Sequence, residues 1–395
     1  MRISSTVYQL QWLASIRRQQ QELADNQAQV SSGKRINTAS DDPAGTAQAI
    51  LLQQGLDRLQ NYASNSETAR RRLSLEESSL SQATDVLDRV RELAVQAGTG
   101  AQTAESRSAI AAEAAELLDG LLNTANAQDG EGRYLFAGNQ VKARPFIQSG
   151  TVQYVGDHGV RSQRVADART VQEGDPGSAV FMQIPAANGS FSVAAGAGNQ
   201  GSASWSSATV TAGQAFVPGS YTVVFTSPTT WEARNGGTVI ASGTHAPGEA
   251  ISFQGATLEF QGTPAAGDTF TVATAGFRDA FTTVQDFIRT LAQPTNTPAA
   301  RAAFQNRLNS DLQNLDQALQ HVSNVRSQVG ARLSTIDQQA ENNADLNVEL
   351  SGSLSAIRDL DYASAISKLE QQLNSLEVAQ KAYARTQSLS LFDVL

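Results

Sequence analysis

Residues 31–45, SSGKRINTASDDPAG, combine a glycine–lysine pair with two adjacent carboxylates, which could form half of a phosphate or metal site. A phosphate-binding loop requires G-x-x-x-x-G-K-[ST] between a strand and a helix, but here Lys34 is followed by Arg35 and the first glycine is missing. A metal ion needs more oxygen ligands than Asp41 and Asp42 supply, and no EF-hand spacing follows them. The stretch therefore predicts neither kind of site.

The same stretch has the residue types of a joint between two helices. Gly33 is suited to end the preceding helix in a left-handed conformation. Asp42 then caps the next helix and places negative charge at the positive end of its dipole, while Pro43 takes its first position. We predict a helix joint formed by Gly33, Asp42 and Pro43.

The rest of the sequence offers little material for catalysis. Cysteine is absent, and the three histidines, His158, His245 and His321, lie far apart along the 395 residues. Because no nucleophile, base or set of metal ligands converges, we expect no enzyme activity, no catalytic residues, no metal and no cofactor.

Charge and hydropathy limit the possible partners. The net charge of −9 argues against unaided nucleic-acid binding, which relies on Lys and Arg to neutralise phosphates. No apolar run approaches the roughly 20 residues that a membrane span requires, so no membrane insertion is expected. The N-terminal sequence has no apolar region or cleavage site of a secretory signal peptide, which on its own predicts a cytoplasmic protein.

The elements that position these residues follow from composition and periodicity. Of the 30 glycines, 22 fall between residues 130 and 280, which predicts helical ends and a turn-rich middle. Both ends carry apolar residues at seven-residue spacing, a pattern specific for long helices that pack side by side. The predicted seam consists of Leu52, Leu59, Leu73, Leu80 and Leu87 in the first half and Leu308, Leu315, Val322, Val329 and Ile336 in the second.

The apolar lines also indicate where each helix begins and ends. The first long helix is predicted from Pro43 to about Ala97, roughly 80 Å at ~1.5 Å per residue. Shorter helices are predicted at about 104–127 and 277–292. Three polar residues interrupt the apolar lines of the two long helices, namely Ser66, Glu76 and Arg326.

The middle of the chain has β-type sequence. Apolar and polar residues alternate on both sides of Asn235-Gly236, a strong hairpin dipeptide. We predict a small β region at 131–185 and a separate β-rich domain at 186–276 inserted between the helical halves.

The outermost segments are amphipathic but weakly hydrophobic. Because they bury too little apolar area to offset chain entropy alone, we expect them to be loosely ordered in the free monomer and helical after assembly. An alternative is that they dimerise as an ordinary coiled coil. The predicted assembly residues are Ile16, Leu23, Val30, Leu369, Leu373, Leu376 and Tyr383.

The predicted fold class is α+β: a long antiparallel helical rod, built like a coiled-coil bundle from both chain ends, with a central inserted β-rich region. The predicted domains are terminal amphipathic helices at 1–42 and 346–395, a helical rod at 43–130 and 277–345, a small β region at 131–185 and an inserted domain at 186–276.

This order of elements, with three motifs, resembles the bacterial flagellin family. SSGKRINTASDDPAG resembles the family's joint between terminal and rod domains, DRVRELAVQA (Asp88 to Ala97) its rod segment, and AQKAYARTQSLSLFDVL its C-terminus. Residues 73–94 and NTANAQDGEGRYLFAGNQ (Asn123 to Gln140) are more similar to the family's hook–filament junction proteins than to filament subunits.

The resemblance implies a structural, secreted protein of the bacterial flagellum that serves motility. It would leave the cell through the flagellar type III export apparatus, held beforehand by an export chaperone. Its place would be the hook–filament junction, as a ring of its own copies on hook-associated protein 1 onto which flagellin adds. This overrides the cytoplasmic prediction.

Two alternatives stay open at this point. The segment RVRELAVQ, residues 89–96, is as similar to filament flagellin as any other part, so a flagellin filament subunit is the alternative function. Within it Arg89, Arg91 and Glu92 are candidate subunit contacts, although an ordinary solvated or subunit-facing helix surface is the favoured explanation. The inserted β domain could add a binding role, as an adhesin.

Overall fold

Six α-helices, one short π-helix (Ser178–Met182) and fourteen strands make up the computed structural model, which describes residues 5–100 and 102–392. The α-helices come from both ends of the chain and the strands from its centre. The predicted α+β class, with long helices around a central β-rich region, is confirmed. The helices are α1 (Ser5–Ser32), α2 (Pro43–Gly98), α3 (Ala104–Ala125), α4 (Ala280–Leu291), α5 (Pro298–Arg358) and α6 (Tyr362–Phe392).

The strands form two hairpins, two larger sheets and one short pair. The hairpins come first in the chain: β1 (Phe146–Ser149) with β2 (Thr151–Tyr154), and β3 (Ser162–Ala166) with β4 (Arg169–Gln172). The remaining strands are β5 (Ile184–Pro185), β6 (Phe191–Ala195), β7 (Ser204–Val210), β8 (Ser220–Ser227), β9 (Thr230–Asn235), β10 (Thr238–Thr244), β11 (Ala250–Phe253), β12 (Ala256–Gln261), β13 (Thr269–Thr274) and β14 (Phe277–Arg278).

The described chain divides into two compact units. One contains residues 1–64 and 339–395, and the other contains residues 65–338. Both divisions fall inside long helices, α2 and α5, whereas the predicted domain boundaries lie at 42/43 and 345/346. The predicted boundaries describe domains that act in assembly and not compact units of the single chain, so they remain a prediction.

Helix starts follow from local capping chemistry. Thr103 Oγ1 accepts a hydrogen bond from Ser106 N at 3.2 Å to begin α3, and Asp279 Oδ1 accepts one from Thr282 N at 2.6 Å to begin α4. Pro43 and Pro298 occupy the first positions of α2 and α5, where a backbone N–H would have no partner within the helix.

In the unit of residues 65–338, α2 and α5 run antiparallel. Successive ion pairs link residues later in α2 to residues earlier in α5: Arg70 with Asp337, Glu77 with Arg326, and Arg91 with Asp316. Arg326, which interrupts the apolar line, thus pairs across the seam.

The apolar seam lies beneath these ion pairs. One buried cluster contains Leu73, Leu80 and Leu87 of α2 together with all five predicted residues of α5. Leu52 and Leu59 lie in the other unit, where they are half-buried. Burying each leucine side chain stabilises the fold by roughly 1.5–3 kcal/mol.

Four aromatic side chains belong to the same buried cluster. Phe136 and Phe146 pack edge-to-face on Phe181, with ring centroids 5.2 and 5.7 Å apart, and Phe281 of α4 lies 5.2 Å from Phe146. Edge-to-face packing suits the charge distribution of aromatic rings. Phe136 comes from the motif GRYLFAG, in which Leu135 is also buried while Tyr134 is half-buried.

The inserted domain is built from a five-stranded sheet, ordered β10-β9-β8-β13-β6, and a three-stranded sheet, ordered β11-β12-β7. Both sheets contribute to one buried cluster that includes Trp205, Phe225 and Phe260. β9 and β10 form the hairpin predicted near Asn235-Gly236, and Gly236 supplies the required positive φ of 57°. β5 pairs with β14, so the entry and exit of residues 186–276 lie side by side.

Polar side chains of α5 attach the inserted domain to the helix. Asn306 Oδ1 accepts a hydrogen bond from Trp205 N at 2.9 Å, and Asn309 Nδ2 donates to Trp205 O at 2.6 Å. Asn314 Oδ1 accepts from Ala187 N at 2.7 Å. We call Asn306, Asn309 and Asn314 the asparagine ladder.

Candidate assembly surface of the paired chain ends

The joint between α1 and α2 packs against the joint between α5 and α6. Gly33 ends α1 with a φ of 70°, and its N–H donates to Gln29 O at 2.9 Å. Leu360 N donates to Gly33 O at 3.0 Å, and Arg35 N donates to Arg358 O at 2.7 Å. Two chain segments more than 300 residues apart in sequence thereby form a short antiparallel pairing.

Arg35 supports this pairing through its side chain. Its Nε and Nη2 donate to Ile357 O at 3.0 and 2.6 Å, near the C-terminal end of α5, and Nη1 lies 3.4 Å from Asp42 Oδ2. A positive group is favourable there because a helix C-terminus carries partial negative charge. Arg35 therefore bridges the end of α5 and the start of α2.

The two adjacent carboxylates are both used by the local backbone. Asp42 Oδ1 accepts a hydrogen bond from Gly45 N at 2.8 Å and so caps α2. Asp41 Oδ2 accepts from Thr38 N at 2.8 Å and Asn37 N at 2.9 Å. Hydrogen bonds from Thr38 backbone and side chain, then Asn37, hold the pKa of the Asp41 carboxyl below its usual value.

No group of three or more His, Cys, Asp or Glu side chains suited to a metal ion occurs among residues 5–100 and 102–392.

The terminal helices α1 and α6 lie against each other. The rings of Trp12 and Tyr383 stack with centroids 6.3 Å apart. Asn26 of α1 is buried at the contact between the two helices. Its Nδ2 donates hydrogen bonds to two groups of α6, Gln372 Oε1 at 3.0 Å and Ala365 O at 3.3 Å. A buried asparagine in a helix pair fixes register, because any shift would leave its amide without partners.

The predicted assembly residues line this helix pair. Leu373 is 46% exposed, which places it on the outer face of α6. Two helices alone leave much of each apolar stripe open, so further apolar contacts are available to another chain. The half-buried residues are Ile16, Leu23, Val30, Leu369, Leu376 and Tyr383.

Exposed apolar side chains concentrate in the same unit. It holds 12 of the 21 large apolar side chains that are exposed in the described part of the chain, although it is much the smaller unit. Such a concentration is typical of a protein–protein interaction surface. We call these twelve residues the apolar surface: Val7, Tyr8, Leu10, Leu13, Ile50, Leu51, Leu346, Val348, Tyr362, Ile366, Leu373 and Val378.

The candidate contacts on the middle of α2 are paired within the chain. Arg89 binds Glu92 at 2.9 Å and Glu113 at 2.8 Å, and Arg91 binds Asp316. The hydrogen bonds that Arg89 donates to Glu92, then Glu113, raise the pKa of Arg89, and the hydrogen bond that Arg91 donates to Asp316 raises the pKa of Arg91. The three predicted residues remain candidates for subunit contacts, since they lie at the surface.

Sequence reasoning missed Trp12, Asn26 and the 357–360 segment. Asn26 lies three residues after Leu23 and four before Val30, which is the second core position of the heptad. That spacing could have identified it. The partner segment 357–360 carries no local signal, because it contributes backbone atoms.

The helical ends match family models of known proteins. Residues 3–141 match the bacterial flagellin N-terminal helical region, and residues 312–395 match the bacterial flagellin C-terminal helical region. The crystal structure of FlgL from Xanthomonas campestris is 35% identical, with a TM-score of 0.72, and the match covers 77% of this chain and 99% of that one. The chain therefore belongs to the bacterial flagellin family.

Within the family the chain is similar to flagellar hook-associated protein 3. That protein from Salmonella typhimurium is 38% identical over 184 residues, which cover 47% of this chain and 58% of the relative. The chain thus matches a little over half the length of this curated relative. The crystal structure of hook-associated protein 3 from Legionella pneumophila is 33% identical with a TM-score of 0.74, covering 78% of this chain and 98% of that one.

No helix in residues 5–100 and 102–392 is long and apolar enough to cross a membrane.

Proposed function

We propose that the chain is a structural subunit of the bacterial flagellum that forms the adapter between the hook and the flagellin filament. The observation that supports this most strongly is the extent of the similarity. It covers 99% of the solved Xanthomonas campestris FlgL chain. In sequence, flagellar hook-associated protein 3 of Salmonella typhimurium is 38% identical to this chain over 58% of its own length, whereas a filament core protein of Treponema phagedenis is 36% identical over 32% of its own length.

The subunit assembles through the apolar surface and the paired helices α1 and α6. Copies of the chain form a ring, with hook-associated protein 1 on one side and flagellin on the other. An export chaperone and the flagellar export apparatus deliver it to the outside of the cell. The crystal structure named a flagellar junction protein, FlgL from Legionella pneumophila, supports the position, being 33% identical with a TM-score of 0.72.

Immunogold labelling of isolated flagella tests this proposal. We expect a single band of label at the hook tip. Label along the whole filament would contradict the junction role and favour the alternative, a flagellin filament subunit. Deletion of the gene gives a second measurement: we expect bare hooks and flagellin released into the medium, whereas loss of a filament subunit would leave no flagellin to release.

A further inference from the structure

Two asparagine–glycine dipeptides occur in the sequence, Asn188-Gly189 and Asn235-Gly236, and both belong to the inserted domain. In such a dipeptide the main-chain nitrogen of the glycine can attack the side-chain carbonyl carbon, Cγ, of the asparagine. The reaction needs no enzyme, and glycine favours it because no side chain hinders the approach of the two atoms. The reactivity of each dipeptide therefore depends on how firmly the fold holds the atoms that must meet.

Hydrogen bonds hold the reacting groups of the first dipeptide. Asn188 Nδ2 donates to Ala208 O at 3.1 Å, and Asn188 Oδ1 accepts from Phe191 N at 2.8 Å. The attacking atom, Gly189 N, donates to Ala186 O at 2.9 Å. The side-chain amide and the attacking nitrogen are thus both fixed, and these bonds must break before the two atoms can approach each other.

The second dipeptide lacks such bonds. Asn235 is the last residue of β9, Gly236 begins the turn to β10, and both residues are exposed. Across the described part of the chain, no hydrogen bond holds the side-chain amide of Asn235 or the N–H of Gly236. The same two reacting groups that are fixed in the first dipeptide are therefore free in the second.

The main chain at Asn235 lies at the tip of the β9–β10 hairpin. Asn235 pairs with Thr238 of β10 on one side and with Tyr221 of β8 on the other. It is the last pair before the turn, and β10 is the outermost strand of its sheet. Such positions open locally at the lowest free-energy cost, which allows the main chain at Asn235 to rotate towards the geometry of attack.

We propose that Asn235 is a site of spontaneous deamidation and that the fold protects Asn188 from the same reaction. Gly236 N loses its proton to hydroxide and forms a bond to Asn235 Cγ. The Cγ–Nδ2 bond breaks, and the amide nitrogen leaves as ammonia. Water then adds to one carbonyl of the resulting cyclic succinimide and opens the ring to aspartate or isoaspartate. In total, one water molecule enters and one ammonia leaves, without an oxidant or a reductant.

The two products differ in their effect on the sheet. Both add one negative charge at position 235. Isoaspartate also inserts a methylene group into the main chain at the residue that pairs with both Thr238 and Tyr221. Both pairings cannot then keep their register, so the tip of β10 separates from β9. This inference does not depend on the proposed function, because it concerns the chemistry of the free subunit.

Peptide mapping of the full chain after incubation tests the proposal. A pH of about 9 speeds the reaction, because Gly236 N must lose its proton. Cleavage after glutamate gives the peptide 233–249, in which Asn235 is the one amide side chain, and the peptide 174–232, which contains Asn188. We expect 233–249 to gain about 1 Da at least about tenfold faster than Asn188 reacts, since hydrogen bonds must break first at Asn188.

Equal rates at Asn188 and Asn235, or no mass gain in 233–249, would overturn the proposal. Incubation in urea is the control for the role of the fold. Both dipeptides lose their hydrogen bonds there, so we expect their rates to become similar. If Asn188 stays unreacted in urea as well, the neighbouring sequence protects it and the proposed protection by the fold is wrong.

Matched variants assign the mass gain and its structural effect. Asn235→Gln should abolish the gain in 233–249, because the longer side chain would have to close a larger ring, whereas Asn188→Gln should preserve it. Persistence of the gain in Asn235→Gln would overturn the assignment. Asn235→Asp carries the added charge without the methylene group, so it should keep the hydrogen-exchange protection of β10 that the incubated wild type loses. Equal protection of β10 before and after incubation would exclude the proposed separation of the strands.

Discussion

His245 illustrates how one residue can make the inserted domain sensitive to acid. It is buried between Phe225 and Phe260, with ring centroids 5.4 and 6.1 Å away, and neither ring nitrogen has a protein hydrogen-bond partner. This burial lowers the pKa of His245 in the folded state, although Glu249 acts in the opposite direction. The neutral form is therefore the one that fits the site.

The pH dependence follows from this depressed pKa. Below the unfolded-state pKa of about 6.5, the unfolded chain binds a proton that the folded domain does not, so stability falls as the pH falls. We expect the inserted domain to lose stability progressively as the pH falls from about 7 to 5. Fluorescence-monitored denaturation of wild type and His245→Phe measures this. The variant should lose the dependence, whereas His321→Phe, outside the inserted domain, should retain it.

Single residues differ in how far sequence predicts them. The arrangement of Asp42 and Pro43 depends on neighbours within three residues, and capping rules predicted the geometry that the structure describes. Glu76 looked like a simple interruption of an apolar line. Burial, and then the negative charge of Asp175, raises the pKa of Glu76 to about 8, and Asp175 lies about a hundred residues away in sequence, which no local pattern reveals.

At the scale of elements, the paired joints depend on one glycine. Gly33 has a φ of 70°, and a Cβ atom there would lie 2.6 Å from the hydroxyl oxygen of Tyr362. Gly33→Ala therefore both strains the backbone and displaces the first residue of α6. We expect a loss of roughly 1–3 kcal/mol in the stability of the paired ends and reduced motility of cells that carry the variant.

Hydrogen exchange of α1 and α6, with swarming assays, measures this loss. Gly352→Ala is the matched control, since that glycine lies inside α5 and a Cβ atom added to it would meet nothing within 4 Å. It should preserve motility and stabilise the helix by up to about 1 kcal/mol. Equal hydrogen-exchange protection of α6 in Gly33→Ala and wild type would show that the conformation of Gly33 does not limit the stability of the paired ends.

Periodicity predicted elements well and their attachments poorly. The long helix predicted from Pro43 to about Ala97 is observed as Pro43–Gly98, and the hairpin forms at the expected dipeptide. In contrast, the asparagine ladder looks in sequence like an ordinary polar face of a helix. Its role depends on backbone groups of the inserted domain, which become neighbours only in the folded chain.

At the scale of the whole molecule, the proposed assembly depends on the apolar surface. Leu51 is 68% exposed, so Leu51→Ser should change the stability of the subunit by no more than about 0.5 kcal/mol. We expect the same substitution to abolish or strongly reduce ring formation, because contact with a neighbour would then bury a hydroxyl in an apolar site. Motility and flagellin release into the medium are the measurements.

Val239→Ser is the matched control, because Val239 is an exposed apolar residue on β10 of the inserted domain. It should leave motility unchanged. Full motility in Leu51→Ser would exclude this part of the surface from assembly. The two compact units were not predicted, although the seam line is interrupted at Ser66 and ends at Ile336, close to the boundaries at 64/65 and 338/339, because single polar residues also interrupt heptads inside one unit.

The asparagine ladder has a consequence for how this protein can diversify. The bonds from Asn306, Asn309 and Asn314 reach main-chain atoms at Trp205 and Ala187, and every amino acid except proline offers the same N–H and carbonyl. These bonds therefore do not depend on which side chains those two positions carry, although Trp205 itself is buried in the core of the inserted domain, while the three asparagines on α5 have no such freedom. The exposed residues of the inserted domain can therefore vary in evolution, while the asparagine ladder keeps the domain attached to α5.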